Sequence, residues 1–196
     1  MPNWAHNTLT VTGPREQLEA FVEKAKVSHA NAVSDYENWP KYDEDSKPAT
    51  LEEYEIQLAE KQPLTFAAFV PEPPENRIGE NWYHWRITNW GTKWDASFGE
   101  PFIGLSTGEG SDIEKSVEAK GATVTKDTLV YKFDTAWSPP TPVVVAMGEQ
   151  HPELEFVLRF GEPGGGYAGE VSVEGSEVIE TVLELDEVLA PEEMWF

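Results

Sequence analysis

Residues 89–95 read Asn-Trp-Gly-Thr-Lys-Trp-Asp, and Trp90, Lys93, Trp94 and Asp95 are the residues of this chain whose types and spacing best suit holding a small ligand. Indole faces can enclose an apolar or aromatic group while an ammonium and a carboxylate orient it. Trp137, within Thr135-Ala136-Trp137-Ser138-Pro139-Pro140, would complete such a pocket. Packing accounts for the same residues. A tryptophan buries a large area and needs a partner for its indole N–H, and Lys93 can lie over a ring or pair with Asp95 with no ligand present. Packing is the weightier reading, because unusual residues often serve a scaffold alone.

Catalytic chemistry has little to stand on. His6, His29, His84 and His151 are isolated, with no His-x-x-x-His or His-x-x-Glu-His spacing to present a metal face. Asp43-Glu44-Asp45 lacks the alternation and the glycine of a calcium loop. Gly164-Gly165-Gly166 is flanked by glutamate, a poor setting for a phosphate cradle. No convergent set of nucleophile, base and oxyanion donors emerges. The expectation is a protein that is not an enzyme, with no catalytic residues, no metal and no cofactor.

Charge says more. The chain carries 36 acidic against 14 basic side chains, a formal net charge of -22. Lys and Arg are scattered, so direct binding to nucleic acid is not expected. After Arg159 there is no Lys or Arg at all, while Glu162, Glu170, Glu174, Glu177, Glu180, Glu184, Asp186 and Glu187 follow. Salt adaptation would be another source of acidity, yet Lys outnumbers Arg and Glu far outnumbers Asp, which does not suit a strongly halophilic chain. The absence of cysteine excludes a disulfide framework. No apolar run approaches the roughly 18 residues of a membrane span, and no secretory leader pattern opens the chain. A cytoplasmic protein is expected.

The elements follow from periodicity. Residues 5–11 alternate as a half-buried strand, and Leu18, Phe21, Val22 and Ala25 form one stripe of a helix over about 14–27. Residues 28–63 read as an acidic insertion, in which Thr50-Leu51-Glu52-Glu53 forms a capping box and Leu51, Tyr54 and Leu58 would face the core. Residues 64–70, bounded by prolines, read as a strand, and 79–90 as a helix that Gly91 ends. Residues 98–111 are glycine-rich and loop-like. Residues 128–135 alternate, with Leu129, Tyr131 and Phe133 on one face. Pro139 to Pro142 open a helix over 143–150, and strands 154–160 and 167–173 make a hairpin. Beyond it, Val178, Ile179, Val182, Leu183 and Leu189 permit an amphipathic helix with Glu177, Glu180, Glu184 and Glu187 opposite, whose carboxylates would repeat on the scale of backbone phosphates. The alternation Leu183-Glu184-Leu185-Asp186 equally permits an edge strand.

Asn3-Trp4 with Asn7, the Trp90–Asp95 motif, the segment around Trp137, and Glu162-Pro163-Gly164 before Tyr167-Ala168-Gly169 together resemble the YubB-like family of phage and plasmid proteins. That resemblance implies a ferredoxin-like domain and no assigned activity. The pattern agrees: strand-helix-strand twice over is the order of a ferredoxin-like α+β sandwich, an antiparallel sheet with helices on one face. The expected organisation is a domain over 1–174, with insertions at 28–63 and 98–120, and an acidic extension over 175–196.

The functional expectation is a phage-type accessory protein that binds a basic surface of a host protein, itself nucleic-acid-binding, with nucleic-acid mimicry as the mode. The carboxylates expected to carry it are Asp43, Glu44, Asp45 and Glu52 in the insertion and Glu170, Glu174, Glu177, Glu180, Glu184 and Glu187 towards the carboxyl end. The alternative is a small-ligand or peptide module using Trp90, Trp94 and Trp137.

Overall fold

A computed structural model describes residues 3–37, 39, 46–73, 76, 81–98, 122–125 and 128–190. Its centre is β1 (Trp4–Thr12), flanked on one side by β3 (Thr128–Ala136) and on the other by β4 (Glu155–Glu162). β2 (Ala122–Thr125) lies outside β3, while β5 (Tyr167–Glu174) and β6 (Glu177–Leu183) continue beyond β4. The order is β2-β3-β1-β4-β5-β6, antiparallel throughout. Its first four strands, with α1 (Arg15–Ala25) after β1 and α5 (Thr141–Gln150) after β3, have ferredoxin-like connectivity. The α+β fold class is the one read from sequence, widened by two strands.

Alternation decides which face is covered. Ala5, Asn7, Leu9 and Val11 of β1 are buried, as are Leu129, Tyr131 and Phe133 of β3 and Phe156 and Leu158 of β4. Leu18, Phe21, Val22 and Ala25 of α1 and Val143, Val144 and Met147 of α5 close over that face. Gly148 lets α5 approach β5, since a Cβ there would lie 2.3 Å from a Val173 methyl.

Residues 64–70 do not form a strand. Phe66–Ala68 is a single 3-10 turn, and the second strand of the ferredoxin order is β2, far downstream. The insertion holds α2 (His29–Glu37) and α3 (Leu51–Lys61). Thr50 caps α3 through the Glu53 amide at 3.1 Å, whereas the Glu53 carboxylate accepts from the Ala49 amide, one residue before the expected donor. Leu51, Tyr54 and Leu58 are half-buried and stay out of the main core, because α3 packs on α2. Tyr54 meets Tyr36 at 5.9 Å and Trp39 at 5.3 Å. α4 (Asn81–Asn89) is helical as expected, and Gly91 ends it at a φ of 81°.

Of the two readings open for residues 178–189, helix and edge strand, each holds for part of the segment. Its first half is the edge strand β6, and only α6 (Leu185–Val188) is helical. Residues 175 and 176 form a two-residue hairpin turn with Gly175 at a φ of 56°, which matches strand twist and fixes β6 in register with β5.

Candidate functional site

The segments that stand out in the sequence meet at one end of the sheet. Trp4 opens β1 opposite Ala136, and the Trp137 amide donates to the Asn3 carbonyl at 3.0 Å. The Thr92 hydroxyl donates to the Ala136 carbonyl at 2.9 Å, and that of Ser138 to the Gly91 carbonyl. Thr135 donates to the Ser138 carbonyl at 2.8 Å and accepts from the Asn7 amide at 2.9 Å. The Tyr167 hydroxyl donates to the Trp137 carbonyl. Side chains of β1, β3 and β5 and of the loops themselves thus tie the segments around Asn3, Gly91 and Trp137 into one block.

Trp90 is part of the core, not the wall of a pocket. It is 2% exposed, its indole N–H donates to the Val70 carbonyl at 2.8 Å, and its ring lies edge-on to Phe66 and Trp85. The Arg86 guanidinium covers it at 4.8 Å, while Arg86 also pairs with the buried Glu72 at 2.7 Å. Asp95 is likewise engaged within the protein. Its carboxylate accepts from the Thr65 hydroxyl at 2.6 Å, the Phe66 amide at 2.7 Å and the Ala96 amide at 2.8 Å, fastening the 3-10 turn. Loss of solvent pushes its carboxyl above the usual range, against the opposing pull of those donors and of Arg86. Lys93 lies over Trp94 at 4.6 Å, and Trp94 rests on Trp4 at 5.9 Å. Trp137 alone of the predicted set stands well out, 47% exposed at a φ of 74°, a backbone state that bulky residues rarely hold.

The glycine turn after β4 is filled from within: the Glu162 carboxylate accepts from the Gly164 amide at 2.7 Å and the Gly165 amide at 2.6 Å. Those donors would otherwise suit an anion. A surface depression of about 590 Å³ lies by α1 and residues 65–71, away from the tryptophans. Its cations are engaged, Lys24 with Gln150 and Lys26 with Glu23.

The predicted carboxylates separate. Asp43, Glu44 and Asp45 lie outside the described residues. Glu52 is exposed in the first turn of α3, apart from the sheet. Glu170 pairs with Arg159 at 2.7 Å. Glu184 and Glu187 form the capping box of α6, the Glu184 amide donating to the Glu187 carboxylate at 2.7 Å. Glu174 and Glu177 are brought together, directly opposite across the hairpin, and Glu155 of β4 stands opposite Glu174. These three exposed residues make a row across three strands, spaced about 5 Å apart at Cβ. Glu180 lies on β6 nearby, on the other face. Glu155 is the member that sequence reasoning missed; the hairpin loop over 163–166 was the signal, since it sets residue 155 against 174.

Among the described residues no helix is long and apolar enough to cross a membrane, and no group of three His, Asp or Glu is disposed to hold a metal. No curated protein matches the chain. A crystal structure of protein Api92 from Yersinia pseudotuberculosis matches with a TM-score of 0.57 at 10% identity, over 94% of this chain and 98% of that one, a likeness of fold alone. Residues 114–193, which include β6, match the family described as the ferredoxin-like domain in Api92-like protein, and this part of the chain is accordingly similar to that domain.

Proposed function

We propose that this protein binds a cationic surface of another protein through the carboxylates of the β4–β5–β6 edge. The observation that supports it is the row Glu155, Glu174 and Glu177, in strict cross-strand register on a chain with no Lys or Arg after residue 159. Like charges facing each other across strands destabilise a sheet by a few tenths of a kcal/mol per pair, and a cationic partner would offset that. The net field would also speed encounter with such a partner and would weaken as salt screens it.

The YubB-like resemblance of the motifs supports a phage-type accessory role, with a basic, nucleic-acid-binding host protein as partner in the host cytoplasm and no catalysis by this chain. Mimicry takes a narrower form than a long helical stripe: three carboxylates about 5 Å apart imitate a short run of phosphates, enough to occupy a basic patch. The ligand-module alternative retains only Trp94 and Trp137, because Trp90 is enclosed.

Titration with a short oligolysine peptide at low and high salt tests the reading. Glu→Gln changes at 155, 174, 177 and 180 should abolish salt-sensitive binding, whereas the same changes at 16, 52, 60 and 149 should leave most of it. Equal losses from the two sets would refute a localised site.

A further inference from the structure

Among the described residues, β6 projects beyond the helix that lies over β4 and β5 on each face of the sheet. On the helix side α5 packs on β4 and β5, and Gly148 already places it in contact with Val173. On the other side α6 also packs on β4 and β5, and Leu189 seats on Gly161. Each cover stops one strand short. Val182 is consequently 91% exposed and Ile179 55% exposed, within a strand exposed along nearly its whole length. Among the described residues nothing pairs with its outer edge.

An uncovered edge offers a row of backbone donors and acceptors to any extended chain, and proteins commonly guard it with lysine or proline. β6 contains neither; its only charged side chains are Glu177 and Glu180. This guard is selective. A second copy would bring another anionic strand to an already anionic molecule, whereas a basic strand would find its charges matched.

We infer that a basic extended segment of the partner adds to the sheet along β6 as a further strand. The inference rests on the cationic-partner reading and specifies how such a partner is held. Register gives the pattern. Val178, Glu180 and Val182 point to the helix side, opposite Val173, Val171 and Gly169 of β5, while Glu177, Ile179 and Thr181 point to the other face. A strand laid beside residues 177–182 therefore needs, in order, a cation, two apolar residues, a cation, any residue, and an apolar residue. Backbone bonds would supply affinity and the alternating side chains selectivity.

The test uses the full chain with two peptides, Lys-Val-Val-Lys-Thr-Val and its reversed order, to cover parallel and antiparallel addition, and a third, Lys-Lys-Thr-Val-Val-Val, of the same composition. Binding is measured at low and high salt, together with hydrogen exchange of the β6 amides. One patterned peptide should bind about tenfold more tightly than the third and slow exchange at alternate β6 amides. Salt-sensitive binding that ignores residue order and leaves β6 exchange unchanged overturns strand addition while the charge reading stands. Absence of any salt-sensitive binding overturns both. Concentration-dependent association of the chain alone, with β6 amides protected, overturns the inference in favour of a second copy as the occupant.

Discussion

The tryptophan-bearing end and the β6 edge are opposites in how their polar groups are used. At the first, the hydroxyls of Thr92 and Ser138 satisfy backbone carbonyls of neighbouring segments, and the Asp95 carboxylate takes three donors at once. At the second, Glu155, Glu174 and Glu177 face each other with like charge, and apolar side chains stand in water beside them. Unusual residues therefore build the frame here, and commonplace ones make the exposed, like-charged edge.

The largest expected effect falls on the frame. Trp90→Ala should cost about 3–5 kcal/mol in denaturant unfolding, through the cavity left between Phe66 and Trp85 and the loss of the bond to Val70. A cost under about 1 kcal/mol would mean that the ring is not a core element. Trp137 comes next. Trp137→Gly should be more stable than Trp137→Ala by about 1 kcal/mol, since glycine alone holds a positive φ without penalty. The opposite order would show that the backbone there is not left-handed.

At the edge the sign reverses. Glu174→Gln and Glu177→Gln together should stabilise the unbound chain by about 0.5 kcal/mol as repulsion is removed, and weaken cation binding. Destabilisation would blur the contrast between frame and edge. The smallest effect concerns His151, whose ring meets Phe21 at 5.3 Å and whose pKa is lowered by burial and by Lys24. Because the folded state resists its protonation, stability should be complete above the ordinary imidazole value of about 6.5 and decline as pH falls below it. His151→Leu should flatten that decline in a pH series of thermal melts.

Where one period governed a segment, the sequence was readable. The α1 stripe, the alternation of β3 and the β4–β5 hairpin all emerged, because each buries a single face. Residues 64–70 misled because an apolar run without a period suits strand or turn alike, and the deciding contact comes from Asp95, some thirty residues on. In β6 the spacing of Val178, Ile179, Val182 and Leu183 fits a helical stripe, while its β-branched residues and the two-residue turn at Gly175 favour a strand. The site was legible only as charge. Which carboxylates stand free depends on partners such as Arg159 and on capping by Glu187, and those pairings are set by register and chain reversal.

Gly161 has a consequence at a distance. A methyl group there would press within 3 Å of Leu189, so the bare α-carbon is what seats the chain that follows β6 against the sheet. With the Gly175 turn at its other end, β6 is tied to the sheet at both ends. An incoming segment would then meet a strand already ordered against β5, and most of the ordering entropy of association would fall on the guest alone.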